Sequence, residues 1–165
     1  MEKVKTQGFT LIELLVVIVI ISILAVTVFV ALNPVQRFAD ARNSRRWTAV
    51  NNILTAIHEC IVDNDGSTSP CIGSLSADTK YEIVSDAVAG CDDVCTNAGA
   101  DTSCADVDTL LGAYLKELPV DPGGVTTGHT GYEVVIDSNN IVTVTACAAE
   151  SPETYGATDT IKVSR

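Results

Sequence analysis

The first division of the chain is hydrophobic. From Phe9 to Leu32 the residues are apolar apart from Thr10, Ser22 and Thr27, and Glu13 is the only charge. A helix of about 20 apolar residues spans a bilayer core, so this run is predicted to cross one, with some tilt. An acid near its start is costly in hydrocarbon and marks a functional position or a partner. Asn33-Pro34 interrupts the run, and proline inside a helix removes a hydrogen bond and kinks or breaks it. The pattern then resumes in amphipathic form. Trp47, Val50, Ile53, Leu54, Ile57 and Ile61 recur at steps of three and four, while Arg46, Asn51, Asn52, Thr55 and Glu59 fall elsewhere on the wheel. This predicts a helix from about Val35 to Val62, with Trp47 as a core anchor and His58 as a polar-face or core histidine. The turn formers Asp63-Asn64-Asp65-Gly66 stop it.

Beyond the helix the signals shorten. Tyr81 to Val84 reads as a short strand or one helical turn. Asp106 reads as the N-cap of a short helix with Leu110, Leu111, Tyr114, Leu115 and Leu118 on one face, ended by Pro119. Val120 to Gly124 is a turn. Tyr132–Ile136 and Ile141–Ala146 are β-rich runs joined by Asp137-Ser138-Asn139-Asn140, a hairpin pattern, and Thr160 to Val163 adds an edge strand. The predicted class is α+β: a long kinked N-terminal helix packed on a small antiparallel sheet. Its divisions are 1–8 as a leader, 9–32 as the apolar helix, 33–65 as its amphipathic continuation and 66–165 as a globular head.

Cysteines and charge change this picture in two ways. Cys60, Cys71, Cys91, Cys95, Cys104 and Cys147 all lie beyond the apolar run. An even count in a small exported domain reads first as disulfides, and the stretch from Ser67 to Ala105, poor in apolar residues, needs cross-links to become ordered. The rival is a zinc site at Cys91-x-x-x-Cys95 with Cys104, but no second close pair follows and His58 and His129 are scattered. Cys60 is expected to pair with Cys71, leaving the other four for two further bridges. Formal charge is −11, and removal of the leader Met1–Gly8, with a side-chain charge of +1, leaves −12. Such acidity opposes nonspecific binding to nucleic acid. Lys3 and Lys5 precede the span while Arg37, Arg42, Arg45 and Arg46 follow it, so counting positive charges alone would put the head in the cytoplasm. The cysteines point the other way, and the head is expected outside. Phosphate loops, Gly-x-Ser-x-Gly elbows and His-Glu-x-x-His motifs are absent from the sequence, so it reads as no enzyme.

A short basic leader ending in Gly8, then Phe9, then Glu13 opening an apolar helix, resembles the N-terminus of type IV pilins and pseudopilins, whose precursors carry a class III leader. The resemblance covers about the first 32 residues. It implies cleavage between Gly8 and Phe9 by a prepilin peptidase, methylation of the new Phe9 amine, and a role for Glu13 in assembly. It further implies a single-pass precursor in the cytoplasmic membrane that polymerises with its own kind on a pilus assembly platform, giving an extracellular or periplasmic filament. Leu118-Pro119-Val120-Asp121-Pro122 followed by Gly131-Tyr132 is similar to an element of the major pseudopilins of type II secretion. Those often bind calcium near the C-terminal loop, but Asp137, Glu150, Glu153 and Asp159 follow no assignable ligand spacing; no cofactor is expected, with calcium left open as the alternative. The alternative outside the family is a membrane-anchored, disulfide-stapled binding domain that never polymerises.

Overall fold

The computed structural model describes residues 8–85, 91, 103–125, 127–150 and 161–165. The chain forms two compact units, Met1–Phe38 and Ala39–Arg165. Helix α1 covers Leu11–Leu32 and α2 covers Pro34–Asp63, with Asn33 between them in the left-handed region at φ 38°. Proline therefore opens the second helix, where its missing N–H costs nothing, instead of breaking one continuous helix. The amphipathic continuation ends where the turn formers lie: Asp65 and Gly66 have φ of 56° and 86°, and the Gly66 N–H donates to the Ile61 carbonyl at 2.8 Å.

The head is α+β. After a single turn, α3 (Ser69–Ile72), come strands β1 (Lys80–Val84) and β2 (Ser103–Asp106), helix α4 (Asp108–Leu111), and strands β3 (His129–Ile136), β4 (Val142–Ala146) and β5 (Ile161–Ser164). The sheet order is β2-β1-β3-β4-β5. Three of its pairings are antiparallel, but β2 runs parallel to β1, with Glu82 beside Cys104. The sheet is therefore mixed and not antiparallel throughout. The pairing of Asp106 with Val84 also takes the predicted N-cap into a strand. Helix α4 starts instead at Asp108 and lasts four residues, with Leu111 and then Leu118 buried.

One face of the sheet meets α2. Val50, Ile53, Leu54, Ile57 and Cys60 join Ile83, Tyr132, Val134, Ile136, Val142 and Val144 in a single core. Trp47 is not part of it: at 49% exposed it is on the open side of α2. The reason is angular, because the buried arc is centred on Arg46, Val50, Ile53 and Ile57, and position 47 is one residue, about 100°, further round. On the opposite face, Glu82 and Glu133 stand directly across β1 and β3, buried at 2% and 4% exposure. His129 Nδ1 lies 3.0 Å from Glu82, and Lys80 Nζ 3.5 Å from Glu133.

Candidate functional site

The N-terminal site begins with a helix cap. Thr10 is extended, and its hydroxyl accepts the Glu13 N–H at 3.3 Å; Glu13 Oε2 in turn accepts from the Thr10 N–H at 2.9 Å and its hydroxyl at 2.7 Å. This is a capping box, which satisfies amide donors that the first turn of any helix leaves open. The acid that appears unaffordable in an apolar segment thus closes the end of α1, one residue from Phe9. Phe9 itself is 84% exposed, and no residue of α1 is buried. Ser22 and Thr27 return their hydroxyls to the Ile18 and Leu24 carbonyls at 2.7 and 2.8 Å, so each polar group in the run is satisfied within the helix. Apart from Glu13, Ser22 and Thr27, the side chains of α1 are hydrocarbon, and every one of them is exposed.

Gly8 has no packing role. A side chain there would meet nothing within 4 Å, and its φ is outside the left-handed region. Neither crowding nor backbone strain calls for glycine at this position.

The second constellation is in the head and was misread from sequence. Arg46, assigned to the polar side of α2, is 1% exposed. Its guanidinium donates to both oxygens of Asp121, at 2.7 and 2.9 Å, to Asn43 at 3.0 Å and to Glu150 at 3.1 Å. Arg42 grips Glu150 with two further bonds, and Asn43 exchanges hydrogen bonds with the Glu150 backbone. Asp121 of the Leu118–Pro122 turn also accepts the Gly123 N–H at 2.7 Å. The turn is packed so closely that a side chain at Gly131, where φ is +79°, would approach Asp121 Cβ to 2.8 Å. The signal available in the sequence was spacing: Arg46 is four residues before Val50 and seven before Ile53, on the apolar face. Two of the four arginines after the span are therefore held by acids of the head.

These contacts set ionisation. Arg42, and then Arg46, hold the Glu150 carboxyl at about 2, below its ordinary 4.5. Its contribution to stability is present above the ordinary value and is lost as pH falls toward 2. Tyr132 lies beneath the turn, its hydroxyl buried without a hydrogen-bond partner among the described residues and pushed by burial up to about 12 from 10.0. Unfolded chains ionise this group first, so stability should fall as pH rises from 10 to 12. Tyr132→Phe is expected to remove that loss without lowering the melting temperature at neutral pH, because the deleted hydroxyl has no partner to strand. Melts of both proteins at pH 7 and at about pH 11 test this; an undiminished alkaline loss in the variant would assign it to another group.

Of the remaining sequence candidates, Cys60 is bonded to Cys71 with Cα atoms 5.7 Å apart, and Cys91 to Cys104 at 5.4 Å. Cys147 is also disulfide-bonded, and Cys95 lies outside the described residues. His58 is half-buried on α2, with Nε2 enclosed and without a hydrogen-bond partner among the described residues. Asp137 caps its own turn, accepting from the Asn139 and Ile141 N–H groups at 2.8 and 2.7 Å, and Glu150 is held by arginines. Glu153 and Asp159 lie outside the described residues, among which no group of three metal-ligating side chains converges.

The N-terminal helix is long and apolar enough to cross a membrane, which fits a membrane-anchored precursor. Residues 3–29 match the family model for the prokaryotic N-terminal methylation motif, so the chain carries the class III leader of type IV pilins and pseudopilins. That motif is one found in structural proteins. Comparison with curated proteins and with solved structures finds no match.

Proposed function

We propose that this chain is the structural subunit of a type IV pilin-like filament. It is inserted as a single-span precursor, cut between Gly8 and Phe9 by a prepilin peptidase, methylated on the Phe9 amine, and polymerised through α1 with the head outside. The observation that carries this reading is α1, a methylation-motif helix with no buried residue. Such a surface cannot remain in water; it requires lipid or other copies of itself, and these two surroundings are similarly apolar. The absence of any structural need for glycine at position 8 supports a requirement imposed by the peptidase. The Leu118–Pro122 element, whose Asp121 is clamped by Arg46, favours a type II secretion pseudopilin as the second reading.

The test is intact mass together with location. Protein recovered from cells should have lost the eight residues Met1–Gly8 and gained one methyl group, with all six cysteines unreactive to alkylation before reduction. It should also enter the sheared surface fraction. Cleaved protein confined to the periplasmic side would favour the pseudopilin reading. A mature N-terminus near Asp40 or Ala41 would overturn both, because the helix would then be a discarded signal.

A further inference from the structure

We propose that successive copies of this chain meet head to tail through an ion-paired contact, in which the Asp63–Asp65 turn of one copy seats against Arg45 of the next. This rests on the filament reading above. An open filament needs a heterologous interface, two different patches on each copy that complement one another.

The two patches are visible on α2. A helix favours acids at its start and bases at its end, since its dipole is positive at the N-terminus. Helix α2 has no acid in its first turn and no base in its last, and Asp63 occupies that last turn. The arrangement works against the isolated helix, so its use is sought outside the chain. At the acidic end, Asp63 and Asp65 are exposed, and the turn is held by Cys60–Cys71 and by the Tyr114 hydroxyl, which donates to Asp63 at 3.0 Å. At the other end, Arg42 and Arg46 are held by Glu150 and Asp121, whereas Arg45 is exposed and makes no ion pair among the described residues. It lines a groove of about 510 Å³ with Thr48, Asn52, Pro119, Pro122 and Tyr132, the hydroxyl of Tyr132 being the unpartnered one. Eighteen residues separate Arg45 from Asp63, about 27 Å along a helix at 1.5 Å per residue. The patches therefore lie far apart on one rod, and a copy displaced along the rod brings unlike patches together. In a chain of charge −11, contact between copies needs such local complementarity to offset the general repulsion.

The experiment is a charge swap in the full-length protein expressed in cells, read as sheared filament yield against total cleaved subunit. Opposed like charges at an interface are strongly unfavourable, so Arg45→Glu is expected to lower the yield at least about tenfold. Asp63→Lys with Asp65→Lys should do the same from the other patch, and combining all three should restore most of it. Head integrity is followed by protease resistance and non-reducing gel mobility, and Arg45→Lys should retain assembly. Wild-type yield from Arg45→Glu, or a triple variant no better than its parents, overturns the contact while leaving the filament intact. A wild-type protein that never enters the sheared fraction overturns the filament reading itself, and this contact with it.

Discussion

Glu13→Ala is expected to insert and be cleaved normally but to yield at least about tenfold less filament, because it leaves a charge without its partner in an apolar setting. Cleavage after Gly8 would create an ammonium group on Phe9, one residue from the Thr10 N–H that Glu13 already accepts. In the core of a helix bundle that cation requires a counter-charge, from the same helix or from a neighbouring copy. The structure adds a competing role, since Glu13 also closes the capping box with Thr10, and losing such a cap costs about 0.5–2 kcal/mol. Two further variants separate the roles. Glu13→Gln keeps a side chain suited to the box but no charge, whereas Thr10→Ala keeps the charge and removes the hydroxyl. If the charge matters, Gln retains at most a remnant of assembly and Thr10→Ala assembles nearly normally. Filament yield measured beside membrane insertion and cleavage decides. Wild-type yield from Glu13→Gln would reduce the residue to a helix cap.

Arg46→Ala should be the most damaging single change in the head. Arg46 and Asp121 have side chains 1% exposed, so removing the guanidinium leaves a buried carboxylate without its bidentate partner. Breaking a buried pair from one side costs about 3–5 kcal/mol. Total stabilities are about 5–15 kcal/mol, so much of the head's stability would go. Asp121→Ala should lose a comparable amount, and the double variant should lose less than the two together, since neither charge is then stranded. Arg46→Lys should not rescue, because an ammonium cannot reproduce a fork that meets Asp121, Asn43 and Glu150 at once. The midpoint of urea unfolding in detergent-solubilised protein, at unchanged slope, measures each cost. Strictly additive losses would mean that the two residues stabilise the head independently.

What the sequence by itself determined were features set by neighbours along the chain. The apolar run needs only its composition to exclude water, and Asn33-Pro34 needs only proline's missing N–H to separate α1 from α2. Asp63 to Gly66 ends α2, and Asp137 folds its hairpin turn, through contacts within four or five residues. Pairing of Cys60 with Cys71 is of the same kind, an 11-residue separation across a turn. The methylation motif over residues 3–29 was legible for a related reason, being a linear pattern of neighbouring residues.

Tertiary structure decided whatever depends on a distant partner. Arg46 looked solvated because its acids, Asp121 and Glu150, are 75 and 104 residues away, and only folding brings them close enough to compensate a buried guanidinium. Trp47 looked buried because aromatic residues favour cores, but the sheet reaches α2 along Val50, Ile53 and Ile57 and leaves the adjacent face open. The parallel partnership of β2 with β1, which drew Asp106 out of a helix cap, follows from strand order, and strand order leaves no local trace in Ser103 to Asp106. Glu82 and Glu133 likewise face each other through register between strands some 50 residues apart. A residue's own chemistry sets what its environment must supply, and the fold determines which segments come together to supply it.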